Sequence, residues 1–218
     1  MTFQEIKKDP KLRAFIKASD DSMISLGFTE HSFAHVGLVA EKAGNIMAFL
    51  GFAPHMAELA RIAGYLHDIG NLVNRVEHSQ SGALIAMGLL EGWGFPPEDI
   101  ALIVSAIGNH DEGTGTPVNS IAAALILADK SDVRRSRVRE KDLSAFDIHD
   151  RVNYSVEKSE LKINEDKTQI QLRLTVDTEV SPVMEYFEIF LDRMVLCRKA
   201  AEKLGLEFKL FINDLALL

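Results

Sequence analysis

The chain has 218 residues, 47% of them hydrophobic and 26% charged, with a formal net charge of −8. That length supports one well-buried core, or one core with a small appendage, and the acidic balance argues against general nucleic-acid binding. A single cysteine, Cys197, excludes an intramolecular disulfide framework and points to a reducing compartment.

Taken in order, Met1 to Asp9 offers no apolar core for a signal peptide. Asp9-Pro10 opens a helix to about Leu26, with Leu12, Phe15, Ile16 and Met23 on its apolar face and Gly27 as its stop. Thr29 is positioned to cap the next helix, about 30 to 50, on which Val39, Ala43, Ile46 and Leu50 share a stripe. Pro54 starts a third helix whose stripe of Leu59, Ile62, Ala63 and Leu66 runs into His67-Asp68, with Gly70 as the stop. Further helices are expected at about 78 to 91, 97 to 110 and 119 to 131. The longest purely apolar run, Ile121 to Ala128, is too short to cross a bilayer, so a cytoplasmic protein without a membrane partner is expected.

Near residue 150 the period changes. Val152, Tyr154 and Val156 alternate, as do Leu161 and Ile163 and then Ile170, Leu172, Leu174 and Val176. This pattern predicts two strands about the turn Asn164 to Lys167, with a bulge near Ser159. A long helix follows from Ser181 to about Leu204, and Leu206 to Ile212 alternates weakly as a third strand. The expected architecture is mainly α. A helical domain spans 1–146, and a small α+β appendage of hairpin and long helix spans 147–218 and packs on it.

Six ionisable residues stand where these helices call for apolar ones: His35, His67, Asp68, His78, His110 and Asp129. Buried charge needs a partner, and mixed nitrogen and oxygen donors suit a divalent transition metal. Iron or manganese is favoured, with zinc, nickel and magnesium open. Six ligands exceed one tetrahedral site, which leaves two metals, or one metal with two substrate-facing histidines.

The ordered set His35, His67-Asp68, His78, His110, Asp129 resembles the HD-domain metal-dependent phosphohydrolase superfamily. The likeness covers roughly residues 30 to 140 and includes the contexts Leu66-His67-Asp68-Ile69-Gly70, His78-Ser79-Gln80-Ser81-Gly82 and Leu127-Ala128-Asp129-Lys130. It implies an HD-type helical bundle in which His35, His67, Asp68 and Asp129 hold a first divalent metal. His78 and His110 make the chain similar to the two-metal branch, where Asp68 bridges. Two departures stand out. Asn71 replaces a frequent Lys, and Asp111 follows His110 where the cyclic-dinucleotide phosphodiesterase branch has a second His.

The expected activity is hydrolysis of a phosphate ester or anhydride, nucleotide-like, by a metal-activated water, with Asp68 and Lys130 as the catalytic residues. The basic run after Asp129 supplies the expected substrate contacts, Lys130, Arg134, Arg135 and Arg137, because Arg recognises phosphate bidentately. Asp111 and Glu112 read as loop solvation, with a general acid as the alternative, and His55 and His149 as solvated. The same ligand order also resembles HD-fold di-iron oxygenases. A non-catalytic nucleotide-sensing module is a further alternative, and the sequence leaves open whether the chain forms a homo-oligomer.

Overall fold

The computed structural model describes residues 1–217. Position 218, the last of the expected appendage, lies outside the described residues. A short helix that the sequence pattern did not suggest, α1 (Phe3–Ile6), opens the chain behind a Thr2–Glu5 capping box. In α2 (Pro10–Ser25) Pro10 holds the first position, and the Asp9 carboxylate accepts from Leu12 N–H at 2.7 Å. α3 (Phe33–Leu50) starts later than expected and is capped by Ser32, not Thr29. The reason is tertiary: Glu30 N–H donates to the Arg137 carbonyl at 2.8 Å, which holds residues 29–31 out of the helix.

α4 (Pro54–Leu66), α5 (His78–Gly92), α6 (Pro97–Gly108) and α7 (Ser120–Lys130) fall within about two residues of their expected bounds. α7 begins at Asn119, whose side-chain oxygen accepts from Ala122 N–H at 2.8 Å. Every residue from Ile121 to Ala128 is 0% exposed. α7 packs against α3, α4, α6 and α9 (Val183–Lys203), which explains why its apolar run is continuous rather than periodic.

The expected strand around Val152 is a correction. Residues Ile148–Ser155 form helix α8, because the Asp147 carboxylate caps it, accepting from Asp150 N–H at 2.8 Å. Strand β1 (Val156–Ile163) follows directly and pairs antiparallel with β2 (Gln169–Val176), its register slipping between Val156 and Lys158. β2 runs parallel to β3 (Glu207–Ile212), with α9 as the crossover, and β4 (Leu215–Ala216) closes the order β1-β2-β3-β4. Ile170, Leu172, Leu174 and Val176 point inward, and α9 lies against both β2 and β3. One continuous apolar cluster runs from Phe3 to Ile212. Among the described residues, no helix is long and apolar enough to cross a membrane.

Candidate metal centre

His35 lies near the start of α3 and Asp129 near the end of α7. The other four occupy helix ends: His67 and Asp68 directly after α4, His78 first in α5, and His110 two residues beyond α6. Helix ends let side chains from several directions meet at one point. All six do meet, so the whole expected ligand set occupies one locus.

Two groups share Asp68. His35 Nε2 is 3.4 Å from Asp68 Oδ2 and 3.4 Å from Asp129 Oδ1. His67 Nε2 is 3.4 Å from Asp68 Oδ2 and 3.6 Å from Asp129 Oδ1. The other Asp68 oxygen, Oδ1, is 3.6 Å from His78 Nε2, which in turn lies 3.2 Å from His110 Nε2. Asp68 therefore faces one group with each oxygen.

Each ring is fixed from behind. His35 Nδ1 meets Asp132 Oδ2 at 2.7 Å, and His67 Nδ1 meets the Gly64 carbonyl at 2.8 Å. His78 and His110 face the carbonyls of Arg75 and Ile107 at 3.1 and 2.6 Å. With every Nδ1–H donated outward, all four Nε2 atoms turn inward, the orientation that metal-ligating histidines require. Asp132 is a contributor that the sequence reading passed over. Its signal is only a carboxylate three residues after Asp129, and its partner His35 is far away in sequence.

The arrangement fits a divalent cation. His67 Nε2 and Asp68 Oδ2 are buried and have no hydrogen-bond partner among the described residues. Donor atoms of His35, His67 and Asp129, and of His67, Asp68 and His110, lie within 4.8 Å of one another. Electrostatics agree. Burial opposes protonation of His67, but the negative charges of Asp68 and Asp129 beside its Nε2 outweigh it, raising its pKa to about 10. Burial likewise works against the charged forms of Asp68 and Asp129, yet His67 and Lys130 respectively hold both well below the ordinary range.

A prediction follows for metal uptake. A proton sits on His67 at neutral pH in the metal-free protein, and a ligating imidazole must be neutral. Metal binding should therefore release protons, and affinity should rise as pH rises toward about 10. Calorimetric titration in buffers of different ionisation enthalpy checks this. Buffer-independent heats would contradict it.

The basic run divides. Lys130 is buried, with Nζ 2.8 Å from Asp129 Oδ2 and 2.6 Å from Glu112 Oε2. Its charge is set against Asp129, an expected ligand, and against Glu112. Arg134 is bound to Asp132 and Glu30, each at 2.9 Å, and Arg135 stacks on Tyr154 with Cζ 4.5 Å from the ring centroid. Both line a separate cavity with Leu38 and Lys42. Arg137 does border the cavity beside the cluster, but its Nε and both Nη groups go to the carbonyls of Glu30 and Asp132. Apart from Asp132, their partners Glu30, Glu112 and Tyr154 lie outside the run itself, which is why composition alone suggested a phosphate rim.

That cavity, about 380 Å³, is bordered by Phe28, His31, Arg75, Glu112, Arg137, Asp147, Asp150, Asn153 and Arg193 among others. Arg75 lies 3.9 Å from Asp68 Oδ1 and 3.4 Å from His78 Nε2. Asn71 donates to Asp68 Oδ1 at 3.1 Å, so the side chain in the place of the frequent Lys supports the shared carboxylate. His31 is kept neutral, its pKa lowered well below the usual value by burial, and its Nδ1 faces the Thr29 carbonyl at 2.7 Å. His149, expected to be solvated, is exposed but borders this cavity. His55 is exposed and pairs with Asp99.

A family model described as HD domain matches residues 31–153, more than half of the chain. The chain belongs to the HD domain family. That family is one of metal-dependent phosphohydrolases, and the buried His/Asp cluster suits the divalent metal its members bind. Similarity extends past the HD domain. A protein of Methanocaldococcus jannaschii described only as uncharacterized is 27% identical over 210 residues, covering 85% of this chain and 80% of that one.

Proposed function

We propose that this HD domain protein hydrolyses a phosphate ester or anhydride of a small, nucleotide-like molecule, with His35, His67, Asp68, His78, His110 and Asp129 holding one or two divalent ions, iron or manganese in preference. The observation that carries the reading is the shared Asp68, with one oxygen facing His35 and His67 and the other facing His78. When bound, the metal supplies Lewis acidity toward the phosphoryl oxygen and an activated water at neutral pH.

The rest is the work of the chain. Asp132 and the carbonyls of Gly64, Arg75 and Ile107 hold the imidazoles in one tautomer. Lys130, braced by Glu112, sets the orientation of Asp129. Arg75 and Arg193 bring positive charge to the cavity wall beside the cluster, which favours an anionic substrate in a chain that is acidic overall. Asp147, Asp150 and Asn153 offer acceptors for hydroxyl or amino groups on the remainder of the substrate.

The test is hydrolysis by metal-loaded protein, read as phosphate release from phosphomonoesters and nucleotides and as ring opening of cyclic dinucleotides, with dissolved oxygen recorded in parallel. Phosphate release without oxygen uptake is expected. Oxygen consumed in step with substrate and no phosphate freed would overturn the reading in favour of an oxygenase.

A further inference from the structure

A line of alternating charges leads from the metal centre into the C-terminal helix. Asp129 Oδ2 meets Lys130 Nζ at 2.8 Å, Lys130 Nζ meets Glu112 Oε2 at 2.6 Å, and Arg193 Nε donates to Glu112 Oε1 at 2.7 Å. Arg193 lies on α9, well beyond residue 153 where the HD match ends, yet it borders the cavity beside the cluster.

The three arginines on this cavity differ in what their guanidinium groups are doing. Arg137 has committed every nitrogen to backbone carbonyls. Arg75 directs Nη1 to Asn71 Oδ1 at 3.3 Å and to His78 Nε2 at 3.4 Å. Arg193 is held through Nε alone, with its Cζ 4.4 Å from the Phe190 ring centroid. Neither of its Nη groups has a hydrogen-bond partner among the described residues. The plane is fixed at the base and along the ring face, while the two outer donors stay uncommitted beside the cavity. A rigid fork with free donors is what bidentate recognition of a phosphate oxygen pair demands. Burial works against the Arg193 charge, but Glu112 and then Asp129 outweigh it, so the group remains cationic.

We propose that Arg193 forms an anion subsite of this cavity, supplied from outside the HD-matched region, in which its two Nη groups bind the oxygens of the substrate's phosphate. The inference rests on the phosphohydrolase reading. A purely structural Arg193 would serve only to tie α9 to Glu112, and Lys at that position would serve almost as well.

Inorganic phosphate is the probe. Its affinity for the metal-loaded protein is measured by calorimetry, alongside metal content, thermal stability and, where turnover occurs, KM and kcat. In Arg193→Lys, which keeps the charge beside Glu112 but loses the fork, phosphate should bind about tenfold or more weakly, since charge-assisted contacts are the strong ones. Metal content and melting temperature should stay close to those of the parent. Arg193→Gly should show the same defect, relieved by millimolar guanidinium. Arg198→Gln, at an exposed position of the same helix, should bind phosphate like the parent.

Parent-like phosphate binding in Arg193→Lys, or no phosphate binding by the parent protein, would overturn the subsite. A parent that binds phosphate through Arg193 but hydrolyses no ester would leave the subsite standing and remove the hydrolase reading. Hydrolysis with parent-like binding in the variant would do the reverse.

Discussion

Asp68→Ala should yield a folded protein that retains no metal and releases no phosphate. Asp68 is 4% exposed, and its two oxygens face the His35–His67 and His78–His110 groups from a single carboxylate. Removing one partner from a buried charge network typically costs roughly 3–5 kcal/mol, because what remains is uncompensated. Here part of that cost falls on metal binding, since the imidazoles would have to hold a cation with Asp129 as the sole carboxylate. The backbone need not move. The Asp68 carbonyl keeps its bonds from Ser19 Oγ at 3.1 Å and Asn71 Nδ2 at 3.0 Å, neither of which needs the side chain. Elemental analysis of the purified variant, with circular dichroism to confirm folding, is the measurement. His55→Ala, at an exposed site paired only with Asp99, should change neither metal content nor activity. Stoichiometric metal in Asp68→Ala would dismiss the site as drawn.

The second large effect is steric. Gly70 sits in a tight 3₁₀ turn, Ile69–Leu72, pressed against the first turn of α5. A Cβ there would overlap the His78 carbonyl oxygen and lie 2.5 Å from Gly82 N and 2.7 Å from Ser81 Oγ. Two of these three neighbours are backbone, so no rotamer change relieves them, and α5 must shift away. Overpacking costs about 1–3 kcal/mol, occasionally more, and a backbone collision belongs at the upper end. For a chain of this size that lowers Tm by on the order of ten degrees. His78 moves with α5, so Gly70→Ala should also weaken metal binding. Gly88→Ala, where nothing lies within 4 Å of the new methyl, should be neutral or slightly stabilising. Equal melting temperatures for the two variants would refute this account of the turn.

Much of this was legible in the sequence because the signals are local. Apolar stripes, Pro at first helical positions and Gly stops located α2 to α7 closely. His35 and Asp129 announced themselves by interrupting stripes that were otherwise apolar. Where the reading failed, a distant partner or an unrecognised helix cap had overruled the apolar pattern. Thr29 is a good cap residue, but the segment that includes Arg137 holds its neighbour Glu30 in an extended path. Val152 and Tyr154 alternate like a strand, yet the Asp147 cap makes a helix of them. The arginines after Lys130 have the composition of a phosphate rim. Their occupation by Glu30 and Tyr154 is visible only in three dimensions. Glu112 looked like loop solvation because nothing near it in sequence discloses Lys130 and Arg193 on either side.

The enclosure of α7 has a consequence for how the metal centre behaves in time. A helix covered on every side has no partial opening available to it. Freeing Asp129 by loss of α7 therefore means unfolding the whole core. His78 and His110 are differently placed. Each lies beside a segment with exposed residues, Val73 to Glu77 for one and Gly113 to Thr114 for the other, and such segments open locally at far smaller cost. Local opening therefore reaches the His78–His110 side at smaller cost than the Asp129 side, and amide exchange should be slower in α7 than over residues 73–77 and 113–114.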